Sequence, residues 1–128
     1  MDFLALAKRR YACRQYQDRK VEPEKLKQIL EAGRVAPTGE VWTRKYDGKK
    51  IGDIDASIVT DHMMLCAASL GLDTLWVCMF KPDVVREEFH LPDQVVPVNI
   101  LYIGYEAGEP ASPDRHDTLR KPLSETVF

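Results

Sequence analysis

The 128-residue sequence predicts a single α+β domain, with a central buried helix, flanking helices and a small sheet that is completed in a dimer. Three observations lead there. The stretch "MMLCAASLGL", residues 63–72, is apolar nearly all round, and a helix of that kind is buried on several sides. Only two segments, "DTLWVCMF" and "VPVNILYIGY", read as buried strands. Two strands seldom make a stable sheet by themselves. Either a partner chain adds strands, or the fold is mostly helical around a small ribbon.

The first helix is expected to start at Asp2, a good N-cap, with Phe3, Leu6 and Ala7 on one face. It ends in Lys8, Arg9 and Arg10, where cations suit a helix C-terminus. Residues 15–21 read as polar and extended. Pro23 then opens a second helix. Leu26, Ile29, Leu30 and Gly33 form its stripe, Lys27 and Glu31 make an i,i+4 pair, and Pro37 stops it. The third helix, the central one, is capped by Asp53 and ended by Gly71. A strand follows over Asp73–Phe80. Pro82 opens a short helix with Val84, Val85 and Phe89 inward, "LPDQ" turns the chain, and Val96–Tyr105 forms the second strand. The tail from Glu106, rich in Pro, Asp and Arg, reads as an extended arm. No repeat or interdomain linker occurs, so residues 1–128 form one domain.

The charge balance, 18 basic against 20 acidic residues for a net −2, argues against a nucleic-acid binder. The longest apolar run, Met63–Leu72, is short of the roughly 20 residues of a membrane span. The three cysteines, Cys13, Cys66 and Cys78, form no CxxC and point to free thiols in a reducing compartment. The N-terminal charges follow an apolar stretch, the reverse of a secretory signal. These features place the protein in the cytoplasm.

No self-sufficient catalytic set is present. His62 in the central helix reads as hydrogen-bonded structure, and His90 and His116 stand alone in loops. No histidine–carboxylate grouping has metal-ligand spacing, so no metal site is expected. Cys78 lies in an apolar strand and reads as an unreactive thiol. Trp42, Tyr46 and Trp76 read as packing residues, although aromatics near a loop can also cover a planar ligand. Two basic clusters remain. Arg10 and Arg14 flank a helix end, and Arg120–Lys121–Pro122 lies near the C-terminus. Guanidinium groups bond phosphate oxygens in pairs, so the clusters are either solvated surface charge or two halves of one phosphate site. A chain of this kind is a binding module, or it borrows its chemistry from a cofactor.

Several segments together resemble the flavin-dependent nitroreductase family. "RRYACRQY" is similar to its opening basic motif, in which an Arg, a Ser two residues later and a further Arg hold the FMN phosphate. Arg10 and Arg14 match the arginines, Tyr11 lies between them, and Ala12 stands in place of the Ser. "LKQILEAGRVAPT" resembles the second helix and its Ala-Pro-Ser/Thr turn, which brings Pro37 and Thr38 into the cofactor-binding set. Residues 51–80 resemble the central helix, its Gly-Leu-Gly turn (Asp73 replacing the second Gly) and the next strand. Cys78 and Met79 correspond to the backbone beside the flavin edge. "FHLPDQVVPVNILYIGY" resembles the stretch that ends in the family's Gly-Tyr-Pro. "RKPLSETV" resembles the C-terminal segment, where Arg120, with Lys121 next, matches the basic residue of the phosphate site.

The resemblance implies a nitroreductase-like homodimer that binds FMN. It implies transfer of electrons from reduced nicotinamide to a nitroaromatic, quinone or similar acceptor in a ping-pong cycle, with no side-chain acid required. One departure is large. The family's ring-contacting segment and two core strands have no counterpart after Gly39. The Gly39–Glu40 junction therefore marks an internal deletion, or residues left out between its two sides. The alternative is a non-catalytic dimeric module derived from the same fold.

Overall fold

The structure is a computed structural model and describes residues 2–39 and 41–127. The Gly39–Glu40 junction therefore lies in part outside the described residues. Helix α1 spans Phe3–Arg9, and Asp2 caps it by accepting the Ala5 amide at 2.8 Å. Helix α2 (Pro23–Arg34) has Pro23 in its first turn. The 18-residue helix α3 (Gly52–Ser69) leads to β1 (Asp73–Val77), then α4 (Pro82–Glu88) and β2 (Ile100–Gly104). A short 3₁₀ turn at Pro113–Arg115, helix α5 (His116–Leu119) and a second turn at Leu123–Glu125 follow. Among the described residues the only sheet is β1 with β2, antiparallel, paired from Asp73 opposite Gly104 to Val77 opposite Ile100. None of the described helices is long and apolar enough to cross a membrane.

The core lies where α2 packs on α3. Ile29, Ala67, Leu72 and Tyr105 are its buried centre, flanked by Val21, Met63, Cys66, Leu70 and Ile103. Gly33 permits the close approach, since a Cβ there would stand 2.8 Å from Met63 Sδ. Helix α3 ends as its sequence predicts. Gly71 takes φ +78°, its amide bonds the Ala68 carbonyl at 3.2 Å, and the Leu72 amide reaches back to Ala67 at 3.0 Å. These two bonds close the left-handed cap that glycine favours. Gly71→Ala should therefore destabilise the fold by roughly 1–2 kcal/mol, all of it backbone strain. No neighbour stands within 4 Å of the added Cβ, so a lowered urea midpoint with an unchanged denaturant slope is the expected result.

Several expectations are corrected. Asp53 lies inside the first turn of α3 rather than capping it, because Ile51 is the cap residue. Glu31 pairs with Arg34, three residues on, at 2.7 Å rather than with Lys27. Both strands are shorter than their apolar runs. Pairing stops at Val77–Ile100, and the segment that would extend it contains Pro97, which has no amide to donate. Cys78 and Met79 are thus exposed beyond the strand. Val84 and Phe89 face outward, and only Val85 of that trio is half-buried. Tyr46 is 97% exposed at the tip of a turn closed by a Thr43–Lys50 bridge, so it packs against nothing. The tail is not an extended arm but folds into short helical turns.

A second anchor joins α2 to the end of β2. The Tyr105 hydroxyl donates to Glu22 Oε2, Lys25 Nζ donates to that hydroxyl at 2.9 Å, and Arg19 stacks 3.8 Å above the ring. The Tyr105 hydrogen bond, with its own backbone amide and Arg19 and Lys25 beside it, holds the Glu22 carboxyl down at about 2. Because the folded value lies below the ordinary 4.5, this contribution is complete above pH 4.5 and is lost as pH falls towards 2. Glu22→Gln should therefore lower stability at neutral pH and flatten the acid limb of an unfolding-versus-pH curve, so that variant and wild type converge as pH falls towards 2.

Candidate functional site

Arg10 caps α1, and its backbone turns extended (φ −55°, ψ 132°), so the chain leaves the helix as a near-strand. Residues 11–17 then lie along the sheet. The Cys13 amide bonds Thr74 O at 2.9 Å, the Gln17 amide bonds Tyr105 O at 2.8 Å, and the Ala107 amide bonds Gln15 O at 2.9 Å. Extended geometry alternates the side chains. Cys13 is buried and Tyr11 half-buried, whereas Ala12 and Arg14 are exposed. The Tyr11 hydroxyl donates to Glu106 at 2.8 Å, and burial together with that bond pushes its ionisation up. Gly104 makes room for the segment, since a Cβ there would come within 2.7 Å of the Tyr16 ring.

The C-terminal turns return to the same place. Arg115 Nη1 donates to Lys8 O at 3.0 Å and to Ser112 O at 2.8 Å, and Nη2 donates to Arg10 O at 2.6 Å. Arg9 donates to the Ala68 carbonyl at the end of α3. The Arg10 side chain makes no hydrogen bond among the described residues. Its ionisation is lowered first by burial and then by Arg115, is partly restored by Asp61, and is lowered again by Arg120. Arg10 thus lies within electrostatic reach of two further guanidinium groups and one carboxylate.

Of the residues singled out in the sequence, Arg10 and Arg120 lie within electrostatic reach of each other. Arg14 turns back to the Ala12 carbonyl at 3.3 Å and lines a separate cavity of about 350 Å³ with Tyr11, Gly108 and Glu109. Lys121, Pro37 and Thr38 are exposed and make no side-chain hydrogen bond among the described residues. Cys78 and Met79 lie exposed just past β1. His62 Nδ1 lies 3.2 Å from the Ile58 carbonyl, folded back on its own helix. Sequence reasoning missed Arg115 and Asp61. Arg115 acts on backbone carbonyls, which no residue pattern announces, and Asp61 is one carboxylate among many.

Asp61 also borders an open, mainly apolar cavity of about 520 Å³ formed by Ile54, Ile58, His62 and Trp76. The Trp76 Nε1 is buried without a hydrogen-bond partner among the described residues. The described residues contain no group of three His, Cys, Asp or Glu side chains able to hold a metal ion.

The sequence profile of the Nitroreductase family matches residues 7–40 and 41–105, two stretches that abut one residue beyond the Gly39–Glu40 junction. A Methanothermobacter thermautotrophicus protein, provisionally named NADH dehydrogenase/NAD(P)H nitroreductase, is 25% identical over 163 residues, covering 94% of this chain and 85% of its own. A nitroreductase family protein from Clostridium difficile 630 superposes with a TM-score of 0.94 at 47% identity, covering 100% of this chain and 98% of that one. An FMN-dependent nitroreductase from Clostridium difficile R20291 shares the fold, with a TM-score of 0.81 at 22% identity over 98% of each chain. The basic motif beside the sheet, the central helix and its glycine cap lie within the matched residues, and the chain belongs to the Nitroreductase family.

Proposed function

We propose that this protein is an FMN-dependent oxidoreductase that passes electrons from reduced nicotinamide to a nitroaromatic, quinone or similar acceptor. The observation that carries the reading is the bonding of Arg115 to the Lys8 and Arg10 carbonyls, which brings the C-terminal turns that carry Arg120 to the basic motif at Arg10, where Asp61 is the opposing carboxylate. An excess of positive charge of that kind suits a phosphate monoester dianion. The donor set fits the cofactor at a second point as well. The neighbouring apolar cavity, with Trp76 in its wall, suits a planar ring. The names of the Methanothermobacter and R20291 relatives support nicotinamide and FMN respectively.

Bound FMN would supply the redox chemistry, in the two half-reactions of a ping-pong cycle. The chain's own residues bind and orient. Arg10 and Arg120 would bond the phosphate oxygens, with Arg14 and Lys121 as further cations, while Ala12 leaves one hydroxyl contact unmade. The backbone at Cys78 and Met79 is free of the sheet and would offer amides to the ring edge. Pro37 and Thr38, on the exposed turn after α2, would complete the set that holds the cofactor. A homodimer is supported by the two-stranded sheet and by the exposed apolar residues Phe3, Leu4, Met79, Leu119 and Leu123. The three free cysteines support a reducing, cytoplasmic setting. An internal deletion near residues 39–41, or residues left out there, is supported by the divided family match and by an alignment of 163 positions with a chain of 128 residues.

The test is direct. Purified protein should be yellow and release FMN on denaturation, and colourless protein that cannot be reconstituted would sink the proposal. A second reading, a non-catalytic dimeric module, is favoured by the divided match and by Ala12. It predicts a folded oligomer that does not oxidise reduced nicotinamide when FMN is added, and turnover would reject it.

A further inference from the structure

The backbone at Arg10 is held from the far end of the chain. One guanidinium, that of Arg115, reaches the carbonyls of Lys8, Arg10 and Ser112 at 3.0, 2.6 and 2.8 Å. His116 Nε2 lies 3.3 Å from the same Lys8 carbonyl. Lys8 and Arg10 belong to the last turn of α1 and its cap, where carbonyls lack partners within the helix and the helix dipole is negative. Arg115 satisfies both demands at once. Arg120 follows at the end of α5, its amide bonded to the His116 carbonyl at 3.1 Å. Neither Arg10 nor Arg120 has a side-chain hydrogen bond to the protein among the described residues, so the aim of each depends on where its backbone is held.

We infer that Arg115 is a positioning residue for a phosphate monoester: its clasp on three carbonyls sets the spacing of the Arg10 and Arg120 guanidiniums against which the phosphate rests. This deepens the FMN reading given above and rests on it. The planar fork of arginine can span carbonyls from two segments, whereas the single ammonium of lysine cannot. Arg115 and Arg120 both disfavour the charge on Arg10, which agrees with the same arrangement. Like charges at close quarters need to be held there, and an anion relieves them.

The experiment compares wild type, Arg115→Gln and Arg115→Lys by fluorescence titration with FMN and with riboflavin, which lacks the phosphate. Arg115→Gln should weaken FMN binding by about tenfold or more and change riboflavin affinity by no more than about twofold. Arg115→Lys should fall between, because it keeps the charge and loses the span. A general folding defect would weaken both ligands alike and would overturn the inference, as would an unchanged FMN-to-riboflavin ratio or full rescue by lysine. If Arg115→Gln does not fold, the ratio in Arg115→Lys decides alone. If wild type binds no flavin, the FMN reading fails, and inorganic phosphate then tests the clasp. A phosphate-dependent rise in the urea midpoint of wild type that is lost in the variant upholds it. An equal rise in both, or none in either, overturns it.

Discussion

Arg10→Gln is expected to weaken FMN binding by roughly 10- to 150-fold, the equivalent of about 1.5–3 kcal/mol for a charge-assisted contact. The same substitution should leave the unliganded protein at least as stable as wild type. Arg10 is half-buried, lacks a side-chain hydrogen bond among the described residues, and faces Arg115 and Arg120 with only Asp61 to offset them. A cation so placed serves a ligand better than it serves the fold. Opposite signs in the two measurements, a weaker Kd and an undiminished urea midpoint, would separate a binding residue from a structural one. Loss of stability without loss of FMN affinity would remove Arg10 from the site.

Ile29→Ala should have the largest effect on folding, a destabilisation of about 2–5 kcal/mol. Ile29 is 0% exposed, on the face of α2 that packs against α3. Its fully buried core neighbour Ala67 is too small to fill the space that a truncated side chain leaves. Leu72 and Tyr105, the other buried members of the cluster, lie at the ends of secondary-structure elements already fixed by the Gly71 cap and by the Glu22 anchor. Little collapse into the gap is therefore expected. Chemical denaturation at one fixed protein concentration measures the loss, since association would add a concentration-dependent term. A change below about 1 kcal/mol would show that the α2–α3 interface repacks.

The parts of this fold that were legible in the sequence are those set by local chemistry. Asp2 as a cap, Pro23 and Pro82 as openers and Gly71 as a terminator each satisfy a backbone demand within a few residues. The long apolar run gave α3 its place. What was not legible depended on partners distant in the chain. The ends of β1 and β2 are set by each other and by Pro97, so two apolar runs of eight and ten residues yield strands of five each. Asp53 has the residue type of a cap, yet the helix begins one residue earlier, with Ile51 as its cap residue. In the candidate site, Arg10 and Arg120 were found by their likeness to a family motif. Arg115 was not found, because a guanidinium bound to carbonyls leaves no mark in sequence spacing. The tail was misread for the same reason, since its Pro- and Asp-rich composition suits an arm as well as it suits short turns.

The bonds from Arg115 to Lys8 and Arg10 join residues 107 and 105 positions apart. Contacts of such separation are entropically the dearest to close, and they slow folding in proportion to their share of the whole. During synthesis, a nascent chain can form α1 and the basic motif early, but it cannot complete the arginine cluster until the C-terminal turns have left the ribosome. A phosphate held by that cluster, as proposed above, would be captured only after those turns have emerged, and the earlier elements would reach their packing without its help.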